Sequence, residues 1–465
     1  TEHFKGRRSS CALFVSSKTC RASGSGEQPR RRKSPDYNGD ISVMSSITDP
    51  GRESFRLSML LYDTRYRSMT IQIVAMLCFM LMAAWLINNT IQNLAALGKP
   101  IDFGFFSEPA SYDINQRLLE YDSRDTHLRA AFIGLLNTLV VAVLGCITAT
   151  IVGVLVGVLR LSSNWLVARI MTVYVEMFRN VPVLLWIVLA MAILIESLPA
   201  PRAFRGENPE ATMNLFDTVA VTNRGVYIPE VLFSRSLGDI HLFGDSSLRF
   251  NISLDLILIL VVLAASIFTM RKVSAWAKAK QEATGDRPTI WYLQLGIFFV
   301  PLLIVLVALG FHLGYPELKG FNFKGGTHMR NSLIALWLAL SLYTAAFIAE
   351  IVRGGILAIS KGQTEAAAAL GLRSGRIMRL VILPQALRVI IPPMISNYLN
   401  LTKNSSLAIA VGYMDITGTL GGITMNQTGR ELECVLLLML VYLAISLSIS
   451  AVMNWYNNRV KLVER

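Results

Sequence analysis

The sequence predicts an all-α membrane protein, a polytopic helical bundle with about eight transmembrane helices. Hydrophobic residues make up 53% of the 465 positions and charged residues only 16%. The mean hydropathy is +0.48, so the chain carries more apolar surface than a soluble core of this size would need. Eight apolar segments each approach the ~20 residues that cross a bilayer. They lie at residues 69–94, 131–159, 173–198, 254–270, 290–310, 332–352, 380–400 and 434–455.

The charge and the cysteine pattern exclude several other classes of protein. The net charge of +13 comes from Lys and Arg that fall mostly in short loops beside apolar segments and near the N-terminus. That distribution indicates that these basic residues contact anionic lipid rather than nucleic acid. The five cysteines show no CxxC spacing and the five histidines are scattered. We therefore expect no disulfide framework, no metal site and no cofactor.

The first residues differ in composition from the rest of the chain. Residues 1–43 are rich in Arg, Ser and Gly and contain no apolar run long enough for a signal peptide. We expect residues 1–68 to form a disordered tail, in which residues 1–43 represent an extended start rather than native sequence. An organellar transit peptide is the alternative for residues 1–43, since the stretch is basic and rich in Ser.

Lys and Arg beside the spans predict the orientation, because basic loops stay in the cytoplasm. Basic clusters precede the first span, separate the fourth span from the fifth and surround residues 353–379. All three clusters fall on the same side of an eight-span chain. The opposite loop at residues 95–128 contains more acidic than basic residues. We therefore expect both termini to be cytoplasmic.

This topology divides the chain into three parts. The tail at 1–68 precedes a first transmembrane helix and periplasmic loop at 69–130, and the main transmembrane domain covers 131–465. Within that domain, residues 199–253 form the longest loop on the outer side and contain four prolines. We expect a small folded periplasmic insertion there, and extra helices at 254–310.

A short stretch between the sixth and seventh spans, residues 363–384, predicts a helix, a bend and a second helix. Residues 365–370 are mostly strong helix formers, Gly371 occupies the position of a left-handed C-terminal cap, and Ser374 is placed to cap the second helix. An apolar helix in a basic loop is expected to bind a groove on a partner. An amphipathic surface loop is the alternative, and local physics leaves both open.

The same stretch resembles the EAA loop of membrane subunits in ATP-driven (ABC) importers. The matching residues are Glu365-Ala366-Ala367, Gly371 and Leu383-Pro384, while Val381 stands where that family usually has Ile. In that family the loop is the coupling helix that sits in a cleft of the cytoplasmic ATPase. The resemblance therefore implies that coupling involves Glu365, Ala366, Ala367, Gly371, Leu383 and Pro384.

The resemblance also implies an architecture and a set of partners. The fold would be a type I ABC importer transmembrane domain in the bacterial inner membrane, working by alternating access. Its partners would be a second permease subunit in a homo- or heterodimer, two ATP-binding subunits and a periplasmic amino-acid-binding protein. The insertion at 199–253 resembles the larger membrane subunits of general L-amino acid importers, so the cargo would be L-amino acids.

Proline positions and polar motifs predict a substrate path. Proline inside a spanning helix frees a backbone carbonyl, which makes Pro182 and Pro392-Pro393 candidate helix breaks. Residues 178–185 and 401–407 resemble two signatures of polar amino acid permeases, although Val181 replaces the usual Thr. Polar turns and hydroxyls bonded to their own helix are the alternative explanation. The candidate path residues are Asn180, Pro182, Thr344, Glu350, Asn404 and Ser405.

Two carboxylate and guanidinium pairs lie within the apolar segments. Glu176 and Arg179 are three residues apart, as are Glu350 and Arg353, so each pair shares a helical face. Ionisable residues at membrane depth usually face the bundle interior or line a path. The alternative is that each pair satisfies itself near the membrane interface by snorkelling.

The motifs point to a transporter rather than an enzyme. The sequence contains no GxxxxGK[ST] loop, so the chain does not bind ATP in the P-loop manner. It also lacks a nucleophile with a plausible base beside it, so we expect no catalytic residue. One alternative is a stand-alone secondary transporter or channel driven by an ion gradient through Glu176 and Glu350. Another is a membrane anchor or receptor scaffold.

Overall fold

The structure is a computed structural model that describes residues 64–206, 209–244, 246–286 and 288–460. Residues 1–63 of the predicted tail at 1–68, including the suspected extended start at 1–43, lie outside these residues, as do residues 461–465. The chain divides into two compact units between Leu86 and Ile87. Of the described residues, the first unit contains only helical residues 64–86, so the helix begins before the predicted start at residue 69. All other described residues belong to the second unit.

Helices account for most of the described chain. Among the described residues, eight helices are long and apolar enough to cross a membrane, which confirms the predicted bundle of about eight spans. The α-helices are α1 (Thr64–Ala96), α2 (His127–Leu159), α3 (Trp165–Asn180), α4 (Val183–Ser197), α5 (Leu254–Thr284), α6 (Trp291–Ala308), α7 (Asn331–Leu357), α8 (Lys361–Ala369), α9 (Ser374–Ile377), α10 (Leu383–Asn404), α11 (Ile416–Gly418), α12 (Met425–Thr428) and α13 (Glu431–Val460). The spans are formed by α1, α2, α4, α5, α6, α7, α10 and α13.

The third span differs from its prediction. The apolar run at 173–198 was expected to form one helix, but the chain is extended at Val181 and Pro182, and two helices meet there. Proline lacks an amide proton and disfavours helical conformation in the residue before it, so α3 ends at Asn180. The membrane-crossing helix begins at Val183. Pro182 therefore breaks the helix completely rather than bending it.

The predicted break at Pro392-Pro393 is wrong, because α10 continues through both prolines. Irregular backbone lies at the two ends of α10 instead. A π-helical turn at Met378–Ile382 precedes α10, and a 3₁₀ turn at Ser405–Val411 follows it. The first turn lies within residues 363–384, and the second directly follows Asn404.

The core is built around α7, which packs against α2, α3, α4 and α10. Glycines at positions 153 and 157 of α2 allow close approach of the two backbones. A Cβ atom on Gly153 would lie 2.7 Å from the Cβ atom of Ile348, and one on Gly157 would lie 2.8 Å from the carbonyl oxygen of Ala349. Any larger residue at either position would push α2 away from α7.

Short antiparallel strands join the loops at one end of the bundle. The strands are β1 (Ala220–Thr222), β2 (Gly225–Ile228), β3 (Glu230–Phe233), β4 (Asp239–Leu242), β5 (Phe250–Ser253), β6 (Phe311–Gly314), β7 (Glu317–Lys319), β8 (Asn322–Lys324) and β9 (Thr327–Arg330). Strand β2 lies between β1 and β9, and the other pairs are β3 with β6, β4 with β5 and β7 with β8. The sequence predicted a folded insertion at 199–253 but neither its strands nor their pairing with residues 311–330.

The loop after the first span contacts this strand region as well. Arg249 forms an ion pair with Asp125, at 3.0 Å between Nη2 and Oδ1. The backbone amide of Arg330 donates a hydrogen bond to Gln116 Oε1 at 3.0 Å. The loops after the first, third and fifth spans therefore meet at one end, as expected for helices that cross alternately. The EAA loop follows the sixth span and belongs to the opposite end.

Candidate functional site

The EAA loop, residues 363–384, folds as the predicted helix, bend and helix. At the end of α8, the amide of Leu372 donates to the carbonyl of Ala367 at 3.3 Å, and the amide of Gly371 donates to that of Ala368 at 2.9 Å. These two bonds are the Schellman pattern, which needs a left-handed residue after the helix. Gly371 has φ +78°, as the sequence predicts. The predicted cap at Ser374 is wrong, because Arg373 occupies the N-cap position of α9.

Most of the loop surface is exposed. Ala367 is buried, whereas Glu365 and Ala366 are exposed. Leu370, at the end of α8, exposes 82% of its surface. Leu383 and Pro384 form the first turn of α10 and are exposed as well. The loop thus presents a short helix and an apolar tip between α7 and α10.

A polar cavity of about 290 Å³ lies between α7 and α10. Thr344 and Asn404, both predicted path residues, line it together. Asn400 adds a second amide at the same wall. We call this the central cavity, and its lining residues are Tyr343, Thr344, Phe347, Asn397, Asn400 and Asn404.

The sequence prediction missed two of the three asparagines in this cavity. Asn397, Asn400 and Asn404 are spaced by three and four residues, which places them on one face of α10. That spacing was a readable signal for a polar face. Asn397 Nδ2 donates to the Pro393 carbonyl at 3.0 Å, one helical turn earlier in α10.

A cluster of three guanidinium groups surrounds Glu350. Arg160, whose side chain is only 7% exposed, donates a hydrogen bond to its carboxylate. The Nη1 atoms of Arg179 and Arg353 lie 3.7 Å and 3.4 Å from carboxylate oxygens. The Arg179 guanidinium also lies 5.5 Å from the ring centre of Phe347, which lines the central cavity. One carboxylate against three guanidiniums leaves the cluster with excess positive charge.

This cluster differs from the two pairs read in the sequence. The Glu350–Arg353 pair forms as expected, but Arg179 approaches Glu350 instead of Glu176. Glu176 accepts a hydrogen bond from Asn180 Nδ2 at 3.3 Å. Arg160 was missed because it lies on a different helix, and only the packing of α2 against α7 brings it to Glu350.

The other candidate path residues lie apart from the central cavity. Asn180 is exposed at the end of α3, and Pro182 occupies the N-cap position of α4. Ser405 is fully buried, and its hydroxyl donates to the Thr402 carbonyl at 2.7 Å. It lies 3.5 Å from the hydroxyl of Tyr442 on α13. Asn404 and Ser405 therefore face different neighbours although they are adjacent in sequence.

A helical membrane bundle with an exposed loop helix and a polar cavity between its central spans defines a membrane transport protein. Comparison with known proteins identifies the family of transport proteins. Residues 288–462 match the family described as binding-protein-dependent transport system inner membrane component. The described groups include no set of three His, Cys, Asp or Glu residues arranged for a metal ion.

Three relatives match most of the chain. The glutamate/glutamine/aspartate/asparagine transport system permease protein BztB of Rhodobacter capsulatus is 59% identical over 430 residues, covering 91% of this chain and 100% of the relative. The general L-amino acid transport system permease protein AapQ of Rhizobium johnstonii is 42% identical, covering 89% and 96%. The putative amino-acid ABC transporter permease protein YhdX of Escherichia coli is 39% identical, covering 89% and 99%.

The chain belongs to the amino acid ABC transporter permease family. It is a multi-pass membrane permease subunit and not itself an enzyme, since ATP hydrolysis in such systems belongs to a separate subunit. Membership of this family also implies that the chain functions together with other subunits of an ABC transporter, namely an ATPase and a binding protein. The predicted class of function is thereby confirmed over a stand-alone ion-coupled transporter.

Proposed function

We propose that this subunit imports amino acids with acidic or amide side chains, namely glutamate, glutamine, aspartate and asparagine. The observation that carries the proposal is the central cavity, which is lined by three asparagines and by Phe347, whose ring lies 5.5 Å from the guanidinium of Arg179 in the cluster around Glu350. Amides donate and accept hydrogen bonds, and excess positive charge favours carboxylates. The name of the BztB relative, at 59% identity, contains the same four amino acids.

In this proposal, the transported amino acid passes between α7 and α10. Thr344 and Asn404 contact it directly, and Glu350 holds Arg179 next to the cavity wall at Phe347. Asn180 and Pro182 contribute through the break between α3 and α4, where the chain is extended. Ser405 acts as a positioning residue, because its bond to the Thr402 carbonyl holds the end of α10.

Energy reaches this path through the EAA loop. We propose that Glu365, Ala366, Ala367, Gly371, Leu383 and Pro384 form the contact with the ATPase. Two ATP-binding subunits would close together and move the loops, so that the cavity opens first to one side and then to the other. A second permease subunit would supply the other half of the path. A periplasmic amino-acid-binding protein would deliver the cargo to the strand end.

The proposed location is the bacterial inner membrane, with both termini and the EAA loop in the cytoplasm. The support is the excess of Lys and Arg near the ends of α5 and α7 and in the EAA loop, because basic loops remain on the cytoplasmic side. The strand region would then face the periplasm, where a binding protein could reach it.

Reconstituted transport tests this function. The subunit, copurified with its native partners and placed in proteoliposomes, should take up radiolabelled glutamate and glutamine only with ATP and the binding protein. Unlabelled aspartate and asparagine should compete, whereas lysine and leucine should not. Equal competition by all four unlabelled amino acids would refute the proposed selectivity. Uptake by the purified chain alone under an ion gradient would refute the ATP-driven mechanism.

A further inference from the structure

A second polar cavity lies at the strand end of the bundle, apart from the central cavity. It has a volume of about 420 Å³. Its walls come from the ends of α4 and α7, from the strand region and from the turn after α10. Met191 lies on the α4 side, Arg224 follows β1, Asn331 begins α7 and Val411 ends the turn. We call it the strand-side cavity.

The strand-side cavity contains positive charge without an acidic counterpart. Arg224 and Arg330 both line it, and no Asp or Glu is among the lining residues of the described chain. Arg330 Nη2 donates to Asn115 Oδ1 at 2.9 Å, which leaves its charge unneutralised. Its Nε atom is buried and has no hydrogen-bond partner within the described ranges. A guanidinium with an unpaired N–H group and no acidic partner is suited to bind a carboxylate.

The same cavity contains buried hydrogen-bond acceptors. Asn331 is only 3% exposed, and its Nδ2 donates to the Asn223 carbonyl at 2.7 Å. This bond fixes the orientation of the amide, so the remaining polar atom is the acceptor Oδ1. Asn331 Oδ1 and Asn223 Oδ1 are both buried without a partner among residues that the structure describes. Buried polar atoms are nearly always paired, so two orphan acceptors together point to a missing donor.

His328 adds a neutral ring to the lining. Its imidazole stacks on Tyr227, with ring centres 4.1 Å apart and planes 1° apart. Burial lowers the pKa of His328 below its usual value, so the ring is uncharged at neutral pH. The positive charge in the cavity therefore comes from the two arginines alone.

We propose that the strand-side cavity binds the α-carboxylate and α-ammonium groups of a free amino acid. The arginines supply donors for the carboxylate, and the two asparagine oxygens supply acceptors for the ammonium group. Met191 and Ile195 form an apolar wall beside the amino acid's side chain. Since every α-amino acid has the same two groups, this site holds the cargo without choosing its side chain.

The position along α7 suits a site that precedes the central cavity. Ser332 lines the strand-side cavity and Tyr343 lines the central cavity. Eleven residues are three helical turns, so the two side chains lie on the same face of α7, roughly 16 Å apart along the axis. The two cavities therefore lie at successive depths along one face of α7, and the buried Leu336 and Ala339 separate them. In the proposed function, a transport movement would have to open this stretch for the amino acid to pass. The order in which cargo would visit the two cavities rests on the proposed function, whereas binding at the strand-side cavity does not.

Binding to the assembled transporter tests the proposal. The permease and ATPase complex, in nanodiscs without the binding protein, is titrated with radiolabelled L-glutamine and L-glutamate in the Asn404→Leu background, which weakens the central cavity. Both amino acids should bind with similar Kd. Glutarate, which lacks the ammonium group, and 4-aminobutyrate, which lacks the α-carboxylate, should compete at least tenfold more weakly.

Variants of the cavity walls complete the test. Arg330→Gln should weaken binding at least tenfold, and Arg330→Lys should weaken it less because the charge remains. Met191→Trp fills the cavity from the apolar wall and should also abolish binding while leaving every polar group intact. Arg235→Gln is the matched control, since Arg235 is exposed in the same insertion and does not line the cavity.

The outcomes separate this proposal from the proposed function. Lost binding in Arg330→Gln and Met191→Trp, with normal binding in Arg235→Gln, supports the site. Binding that is unchanged in both cavity variants, or absent from the parent complex while wild-type uptake is normal, overturns the site and leaves the transport function intact. Absence of ATP-driven uptake in the wild-type complex overturns the function, and the titration still decides the site.

Discussion

Thr344 of α7 and Asn404 of α10 line the same cavity, although a loop and a helix separate them in sequence. Asn397 and Asn400 share the asparagine face of α10, and Arg179 reaches the cavity wall at Phe347. In the proposed function, this polar cavity between two spans, with Arg179 against its wall, is where the transported amino acid would be held during passage.

Replacing Asn404 by Leu should raise the KM for ATP-driven glutamine uptake about tenfold. The variant loses one amide contact, and a hydrogen bond to a charged or polar group contributes on the order of 1 to 3 kcal/mol. Ser406→Ala is the control, because Ser406 bonds to the Lys403 carbonyl and does not line the central cavity. An unchanged KM in Asn404→Leu, with normal amounts of assembled subunit, would remove Asn404 from the path.

Arg179→Gln should shift the preference from glutamate toward glutamine by about tenfold in kcat/KM. A unit charge within a few ångströms of a bound carboxylate contributes on the order of 1 kcal/mol or more at an intermediate dielectric constant. Arg169→Gln tests whether any charge loss on α3 has this effect, since Arg169 is exposed and does not approach Glu350. If the ratio stays the same in Arg179→Gln, the cluster is structural and does not select cargo.

Reporter fusions test the orientation. A reporter fused after Gly285, in the loop between α5 and α6, should read cytoplasmic. One fused after Asn223, between β1 and β2, should read periplasmic. The reason is the concentration of Lys and Arg along the last turns of α5 and around the EAA loop. The reverse result at both positions would contradict the proposed topology.

Asp415 should make the fold less stable at higher pH. Its carboxylate is fully buried, accepts the Gly418 amide at 2.8 Å and accepts the Tyr442 hydroxyl at 3.2 Å. Burial raises the pKa of Asp415 from 3.8 to about 6, so the folded chain holds a proton that the unfolded chain releases. The protonated Asp415 therefore stabilises the folded chain fully below pH 3.8, and this stabilisation is lost as the pH rises through about 6.

The measurement is thermal unfolding of the purified subunit in detergent at pH 5 and pH 7.5. Wild type should unfold at a lower temperature at pH 7.5. Asp415→Asn keeps an acceptor for Gly418 and should show a smaller difference between the two pH values. Asp113→Asn, at an exposed residue paired with Arg117, should behave like wild type. If Asp415→Asn shows the same difference in unfolding temperature as wild type, the pH dependence comes from other groups.

The sequence predicted the spans and the EAA loop because each depends on local properties. Hydropathy alone marks a spanning helix, and Gly371 is the one residue in its turn that adopts φ +78° without cost. Pro182 and Pro392 show where local rules fail. Both disfavour helix, yet only Pro182 ends one. Within α10 the two prolines remove two backbone amide donors, but packing against α7 holds the helix together.

Contacts between distant segments could not be predicted in this way. Arg160 forms its ion pair with Glu350 only because Gly153 allows α2 to pack closely against α7. The strands of the insertion are short, and Tyr227 of β2 pairs with His328 of β9 from another loop. Pairing of this kind depends on the whole fold and leaves little trace in a four-residue strand. The lining of the central cavity was predicted only in part. Asn404 belongs to a motif that the sequence analysis recognised, whereas Asn397 does not.

The most direct test of coupling is uptake by the Gly371→Val transporter. Valine at φ +78° has a strain of about 1 to 3 kcal/mol, and no neighbouring atom lies within 4 Å of the new Cβ. The EAA loop should therefore tilt while the bundle remains folded. Gly285→Val is the matched control, since Gly285 also has a positive φ, +80°, and open space, but ends α5 outside the EAA loop.

We expect the Gly371→Val subunit to insert and to assemble with the second permease subunit. Its ATPase should dissociate in detergent or hydrolyse ATP without amino acid uptake, whereas Gly285→Val should transport normally. ATP-driven uptake and ATPase retention at wild-type levels in Gly371→Val would contradict the claim that the EAA loop couples ATP hydrolysis to transport.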